Sequence, residues 1–388
     1  MRILFVSMSS LADPSSGAAI SVRTILRQLA ARGHQVMSFS AGCFDRALRE
    51  APTDMLKWSR YQKIPEKPAW IFRDGSVTHI AFPGRSTRVT ERMSEDLSEL
   101  ISGGKDIAAE FKPDVVITYG SSPLEKQLRS HARRLGARIV FYLANPNYKN
   151  RHVFDGVDLV LTDTQATADL YHERLKLNCV AIGKFVDPLD ARRPAKTNRH
   201  VTFVNPSFPK GATLFYRIAE MMAQTLPSVR FMVVESRSNL REIENGTGIP
   251  FSSMRNIRKV GLQTDLSDVF SRSHILLVPS LWHESGGRVA VEALSLGIPI
   301  ISSDHGGLPE VVGDGGIRIP VPQPLREDNR LIPPPSVAVP WVSAIARLWT
   351  DDEFWSERNT AALKQWKTLD PQPRLLQVES LLQGIVDD

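Results

Sequence analysis

Two glutamates, Glu284 and Glu292, flank a pair of glycines in the most informative stretch of the sequence, residues 279–299. The apolar run ahead of it predicts a strand, and Gly286 and Gly287 predict the turn that opens the next helix. The first backbone N–H groups of a helix have no partner within it and can bind a phosphate. A carboxylate accepts paired hydrogen bonds from neighbouring hydroxyls. The pattern therefore indicates a ligand with sugar hydroxyls on both sides of a diphosphate.

The elements that must position these residues alternate between strands and helices in two successive series. Apolar runs predict strands at residues 2–7, 35–39, 115–118, 138–143 and 159–161, then at 201–204, 230–234, 275–278 and 299–302. Amphipathic stretches between the runs predict helices, and such alternation is typical of parallel sheets covered on both faces. The sequence therefore predicts an α/β protein with two doubly wound, Rossmann-like domains.

A break in this alternation divides the chain. We predict an N-terminal domain over 1–186, a linker rich in proline and arginine over 187–199, and a C-terminal domain over 200–365 that carries both glutamates. Residues 366–388 are predicted to form a helical tail that could return to the N-terminal domain. Within the first domain, residues 43–85 are expected to be an insertion with a hairpin turn at Arg73-Asp74-Gly75, and the proline-rich stretch 319–339 is expected to be a loop.

Composition excludes several classes of protein. The chain has 388 residues with 42% hydrophobic and 23% charged residues, which fits a globular protein rather than a disordered or fibrous one. The net charge of +6 favours anionic partners, but no basic run interleaved with aromatic residues predicts nucleic-acid binding. Two cysteines encode no disulfide framework, so we expect a cytoplasmic protein. The charge leaves open a weak peripheral contact with the inner membrane face.

The stretch from Glu284 to Glu292 closely resembles the donor-binding signature of the family four retaining glycosyltransferases, the group 1 glycosyl transferases. The likeness continues through Gly297-Ile298-Pro299 and Gly306-Gly307-Leu308-Pro309-Glu310. It implies the GT-B fold, in which two Rossmann-like domains face each other across a cleft. It also implies that Glu292 holds the ribose of the nucleotide and that Glu284 lies against the transferred sugar. The donor diphosphate would then lie at Ser285, Gly286, Gly287, Arg288 and Val289.

Further segments extend the resemblance and depart from it. Lys210 matches the family lysine that stabilises the leaving diphosphate, but Asn205 stands where relatives usually have an arginine, and Arg288 could supply the missing charge. Val260 and Gly261 match the place where relatives lay the nucleotide base.

Two positions in the first domain are expected on the acceptor or phosphate side. Gly17 follows the first strand, where it could open the backbone to a ligand or serve as a plain turn glycine. Asn145 follows the strand after which many relatives carry a histidine, and it could still hydrogen-bond a sugar hydroxyl.

These residues predict a retaining transfer of a sugar from a nucleoside diphosphate sugar, as co-substrate, to an acceptor hydroxyl. No cofactor is expected, and no metal, because His283 has no further ligand at suitable spacing. The acceptor could be a glycan, a lipid-linked molecule or a small molecule. Two alternatives stay open: a nucleotide-sugar epimerase of the same fold, and a catalytically silent donor-binding or assembly subunit. An oxidoreductase is disfavoured because no Gly-x-Gly-x-x-Gly follows the first strand.

Overall fold

The protein is described by a computed structural model that covers residues 1–45, 60–63, 69–82, 84, 86–189 and 199–388. The chain divides into two compact units. The first comprises Met1–Phe185 and Pro371–Asp388, and the second comprises Val186–Asp370.

The first unit holds a mixed sheet with helices on its faces. Its elements up to the division are β1 (Arg2–Ser9), α1 (Gly17–Ala31), β2 (Gln35–Cys43), β3 (Arg60–Lys63), β4 (Trp70–Asp74), β5 (Val77–Ala81), α2 (Val89–Glu95), α3 (Leu97–Phe111), β6 (Val115–Thr118), α4 (Pro123–Arg134), β7 (Arg138–Leu143), β8 (Leu159–Thr162), α5 (Gln165–Leu175) and β9 (Val180–Ala181). In the described part of the chain the strand order is β3-β4-β5-β2-β1-β6-β7-β8-β9. The pairs β3–β4 and β4–β5 are antiparallel and the others are parallel.

Strand β1 explains why this sheet is covered on both faces. Its side chains alternate between two hydrophobic clusters: Ile3 and Phe5 belong to one, and Leu4 and Val6 belong to the other. Alternate residues of a strand point to opposite faces, so an uninterrupted apolar run needs packing partners on both sides. Helix α1 covers the first face and helix α4 the second.

The second unit holds a parallel sheet. Its elements are β10 (His200–Val204), α6 (Ala212–Thr225), β11 (Phe231–Val234), α7 (Leu240–Thr247), β12 (Ile257–Val260), α8 (Ser267–Phe270), β13 (Ser273–Val278), α9 (Arg288–Ser295), β14 (Ile300–Ser303), α10 (Leu308–Val312), β15 (Gly316–Ile319), α11 (Gln323–Glu327), α12 (Pro335–Thr350) and α13 (Asp352–Thr368). Its strand order is β12-β11-β10-β13-β14-β15, and all of the pairings are parallel. Helix α14 (Pro371–Asp387) then belongs to the first unit.

Strand β13 is packed in the same way as β1. Ile275 and Leu277 lie in the cluster that α6 and α12 cover. Leu276 and Val278 lie in the cluster that α9 covers. The predicted α/β class with two parallel-sheet units is confirmed.

Local differences from the sequence-based prediction have simple causes. The stretch 319–339 is not a continuous loop, because α11 lies within it and α12 begins at Pro335. Proline is tolerated in the first turn of a helix, where its missing N–H has no partner to lose. The hairpin is present as β4 and β5, with Gly75 in a left-handed conformation at φ +59°.

The division of the chain differs in detail from the predicted boundaries. Residues 366–370 fall in the second unit, where Trp366 and Leu369 pack against its core. Most of the predicted linker, residues 190–198, lies outside the described residues, and so does much of the predicted insertion. Among the helices that the structure describes, none is long and apolar enough to cross a bilayer.

Candidate donor site

The order of strands in the second sheet marks the position of a candidate site. Strands β10 and β13 are neighbours, and successive strands run outward from them in opposite directions along the sheet. Loops at the carboxyl ends of two such strands lead away to opposite sides and leave a crevice where ligands bind. The loop with Lys210 follows β10, and the loop with Glu284 follows β13. The sheet topology therefore brings two separate predicted motifs together.

The two loops are joined through their backbones. The N–H groups of Leu281 and Trp282 both donate to the carbonyl oxygen of Pro209, at 2.9 and 3.0 Å. Gly211 has φ +84°, and a Cβ built at this position would lie 1.9 Å from the carbonyl oxygen of Pro279. Only glycine fits such a close approach. The loops therefore form one unit.

Glu284 is the buried centre of this unit. Its side chain accepts hydrogen bonds from Lys210 Nζ at 2.5 Å and from Ser280 Oγ at 2.8 Å, both on Oε1. Burial alone would raise the pKa of the Glu284 carboxyl. The charge and hydrogen bond of Lys210 and the hydrogen bond of Ser280 lower it. Together with the charge of Arg237, they hold the pKa of Glu284 below its ordinary value. Glu284 is therefore a carboxylate at neutral pH and accepts hydrogen bonds.

The glycines that follow β14 hold the backbone of Glu284. Gly307 N donates to the carbonyl oxygen of Glu284 at 2.7 Å. Gly306 has φ +63°, and a Cβ built there would lie 2.8 Å from the backbone nitrogen of Glu284. The Gly306-Gly307 part of the resemblance thus has a structural reason, since a larger residue would displace Glu284.

Glu292 lies on α9, one turn after Arg288. Arg288 Nε contacts Glu292 Oε1 at 2.8 Å, and Glu292 is only 5% exposed. Gly287 is the N-cap residue in a left-handed conformation, and its Cβ position is blocked by Leu308. Gly287 has no side chain that could cap α9, and the first backbone amides of a helix can bind an anionic group.

The remaining predicted positions of this loop lie between the two glutamates. Ser285 and Gly286 are buried, and Val289 is half-buried against the cluster beneath α9. Phosphate binding by this turn stays a prediction. Arg288, which could supply the missing positive charge or pair with a carboxylate, forms an ion pair with Glu292.

Three neighbouring strand ends bring further predicted residues to the same edge. Val204 of β10 is in register with Val234 of β11, and Val234 is in register with Val260 of β12. Asn205 and Gly261 follow two of these ends, and Gly261 is exposed. The structure therefore places the predicted base-binding residues and the Lys210 loop on one edge of the sheet.

Asn205 adopts φ +60°, an uncommon conformation for a residue other than glycine. Its N–H donates to the carbonyl oxygen of Val234 at 2.8 Å, and its Oδ1 accepts from Ser238 N at 3.4 Å. The asparagine that stands in the usual arginine position therefore ties β10 to the loop after β11.

Gly17 and Asn145 lie in the first unit, at the carboxyl ends of its strands. Gly17 is the first residue of α1 rather than a loop residue, its φ is not positive, and a Cβ would meet nothing within 4 Å. The structure thus gives no conformational reason for a glycine there. Asn145 Nδ2 donates to Tyr119 Oη at 3.3 Å, and its carbonyl oxygen accepts from Tyr171 Oη at 2.9 Å.

Two residues near Glu284 were not singled out from the sequence. Ser280 lies two residues after β13 and donates to Glu284, and a polar residue near a strand end was the available signal. Arg237 follows β11 and acts on Glu284 through its charge. Arg237 lies in none of the motifs quoted from the sequence, and its position near Glu284 follows from the fold.

His283 lies beside His305, with ring centroids 5.8 Å apart. Among the residues that the structure describes, no group of three or more histidine, cysteine, aspartate or glutamate residues could hold a metal ion. Metal independence stays a prediction.

Residues 253–334 match the family model of the glycosyl transferases group 1. The resemblance to this family is confirmed. One similar sequence is D-inositol 3-phosphate glycosyltransferase of Streptomyces bingchenggensis, 40% identical over 80 residues, which are 19% of this chain and 17% of that protein. The chain therefore matches less than a fifth of the length of that relative, and the family-model match lies in the second unit.

Solved structures resemble the whole chain. Sucrose-phosphate synthase from Thermosynechococcus elongatus gives a TM-score of 0.73 at 18% identity, with 99% of both chains covered. Anabaena Alr3699/HepE in complex with UDP and glucose gives 0.70 at 16% identity, again with 99% of both chains covered. At this level of identity the likeness shows the fold, which is that of the GT-B glycosyltransferases.

Proposed function

We propose that the protein is a retaining glycosyltransferase that moves a sugar from a nucleoside diphosphate sugar to an acceptor hydroxyl. The observation that carries the proposal is the Lys210–Glu284 pair at the carboxyl edge of the second sheet, next to the N-terminus of α9. The family match over residues 253–334 supports it.

Each side chain would contribute through charge or hydrogen bonding. Glu284, held ionised, would accept hydrogen bonds from hydroxyls of the transferred sugar. Glu292 would accept from the ribose hydroxyls. Lys210 would offset the negative charge that develops on the departing diphosphate, and the amides at the start of α9 would bind its oxygens.

Retention requires the acceptor hydroxyl to attack the anomeric carbon from the face that the diphosphate leaves. In this proposal the bond from the anomeric carbon to the diphosphate oxygen breaks as the bond to the acceptor oxygen forms. The acceptor proton passes to the departing phosphate oxygen. The protein then mainly positions both substrates and stabilises the separated charge.

The other expectations are kept as proposals. We propose a cytoplasmic protein that uses no cofactor and no metal, with Gly17 and Asn145 on the acceptor or phosphate side.

The test is an assay of the purified chain with UDP-, GDP-, ADP- and TDP-sugars. We expect release of one nucleoside diphosphate, faster when a hydroxyl acceptor is added, and a product whose anomeric configuration is that of the donor by NMR. Isomerised nucleotide sugar without release would indicate an epimerase. Binding without either reaction would indicate a silent donor-binding subunit. The Glu284→Gln variant is the negative control.

A further inference from the structure

The charged side chains of the candidate donor site neutralise one another. Lys210 pairs with Glu284, and Arg288 pairs with Glu292. A nucleoside diphosphate carries at least two negative charges at neutral pH. The start of a helix offers the equivalent of about half a positive charge. Binding of a diphosphate therefore calls for a further cation at this edge of the sheet.

Arg237 lies at the same edge. It belongs to the loop that follows β11, and β11 is the direct neighbour of β10. Val204 and Val234 are in register, so the loops with Asn205 and Arg237 leave the sheet side by side. The hydrogen bond from Ser238 N to Asn205 Oδ1 joins the two loops next to Arg237.

The loop that carries Arg237 is held at both sides. Leu240 N donates to Glu235 Oε1 at 3.0 Å. Asn239 caps α7 and forms a capping box with Glu242. These bonds fix the backbone around Arg237, whose side chain is exposed. The guanidinium is therefore carried on an ordered loop where a ligand can reach it.

The charge of Arg237 acts on Glu284, the buried centre of the site. It helps to hold the pKa of Glu284 below its ordinary value, together with the closer Lys210. Electrostatic effects decline with distance and are screened by solvent. Arg237 therefore lies near enough to act on a group bound against Glu284 and Lys210.

We propose that Arg237 binds the diphosphate of the donor together with Lys210, an inference that rests on the proposed function. A guanidinium forms two parallel hydrogen bonds with phosphate oxygens, which a lysine cannot do. Arg237 then provides, from the end of β11, the positive charge that Asn205 at the end of β10 lacks.

The experiment measures binding by calorimetry. The full chain is titrated with UDP, GDP, ADP and TDP, and the nucleoside diphosphate that binds is compared with its nucleoside. We expect Arg237→Gln to weaken binding of the diphosphate by about tenfold or more, with less than about a threefold change for the nucleoside. Arg237→Lys should lie between the wild type and Arg237→Gln. Arg241→Gln, an exposed arginine on α7, is the matched control and should bind like the wild type.

Several results would overturn the inference. Equal diphosphate affinity for Arg237→Gln and the wild type would exclude the contact, and so would an equal loss for nucleoside and diphosphate. If Arg237→Gln unfolds, diphosphate binding by Arg237→Lys is the test. Because lysine keeps the positive charge, complete loss of binding in Arg237→Lys would also contradict the proposal. A wild-type chain that binds none of the four diphosphates would instead refute the proposed function.

A double variant adds an independent check. Asn205→Arg introduced into Arg237→Gln should restore much of the affinity if the two positions reach the same phosphates. If the double variant has the same thermal midpoint as Arg237→Gln but recovers no affinity, the two positions do not reach the same phosphates. The affinity of the wild type should also fall more steeply with salt than that of Arg237→Gln.

Discussion

Glu284 and Glu292 differ in how their charge is balanced. Glu284 is paired with a lysine from a different loop, whereas Glu292 is paired with an arginine one turn earlier on its own helix. A pair between loops depends on the fold, but a pair at i and i+4 needs only the helix. Substitution of Glu292 should therefore affect the ligand more than the fold.

The first prediction concerns Glu292. Glu292→Gln should weaken binding of the nucleoside diphosphate by about tenfold or more, because a charge-assisted hydrogen bond contributes about 1.5–3 kcal/mol. Calorimetry measures the change. Glu357→Gln, at an exposed position on α13, is the control and should leave affinity unchanged. Unchanged affinity in Glu292→Gln would exclude the ribose assignment.

His274 predicts a pH dependence of stability. It is buried, stacks on Trp355 with ring centroids 4.8 Å apart, and has Leu348 O at 3.3 Å from Nε2. Burial, followed by the charge of Arg199, lowers the pKa of His274 from 6.5 to about 4. Between these values the unfolded chain binds more protons than the folded one. The free energy of unfolding should therefore decrease as the pH falls from 6.5 towards 4, by at most about 1.4 kcal/mol per pH unit.

The measurement compares His274→Phe with the wild type. Phenylalanine keeps a ring against Trp355 but does not titrate. The difference in the free energy of unfolding between the two proteins should change by several tenths of a kcal/mol or more between pH 7 and 5. His172→Phe, at an exposed position, should show no such change. Parallel curves for His274→Phe and the wild type would contradict the prediction.

At the scale of elements, the site depends on three loops that pack without space for a side chain, after β10, β13 and β14. Gly211 lies against Pro279, and Gly306 lies against Glu284. Backbone hydrogen bonds join the loop after β13 to each of the other two loops. The spacing of residues within any one of these loops does not predict the contacts between them.

A pair of glycine variants tests this contact. Gly211 and Gly248 have similar left-handed conformations, at φ +84° and +72°, but only Gly211 has backbone within reach of a Cβ. Gly248→Ala should cost about 1–2 kcal/mol, the conformational term alone. Gly211→Ala should cost more and should also weaken nucleotide binding, because Pro279 must move. Denaturant unfolding and calorimetry measure the two effects, and equal costs without loss of binding would show that the loops adjust freely.

At the scale of the whole molecule, the first unit is built from both ends of the chain. Helix α14 contributes Leu375, Val378 and Leu382 to the cluster that contains the centre of β1. Glu379 on the same helix contacts Arg32 and His34, at 2.6 and 2.9 Å. The stability of the first unit therefore depends on residues that come last in the sequence.

Two adjacent leucines test this dependence. Leu375 is 2% exposed and Leu376 is 53% exposed. Leu375→Ala should destabilise the first unit by about 2–4 kcal/mol, through lost burial and the cavity left behind. Leu376→Ala should change it by less than about 0.5 kcal/mol. Amide exchange in β1 reports on the first unit and exchange in β13 on the second, and equal acceleration in both strands would contradict a local effect.

Apart from β3, β9, β12 and β15, the amino-acid sequence predicts the strands of both sheets, together with the fold class and the segment with Glu284 and Glu292. These features follow from local patterns: uninterrupted apolar runs, glycines at a helix start and a motif contained in one stretch. Wrong assignments occurred where local signals conflict, as at Pro335, where proline begins a helix instead of marking a loop.

Which charges meet across different loops depends on the tertiary structure. Lys210 and Glu284 are far apart in sequence, and their pairing follows from β10 lying next to β13. The position of Arg237 at this site has the same cause, because β11 borders β10. Strand order and register depend on the packing of the complete sheet, and no residue pattern within a single loop encodes them.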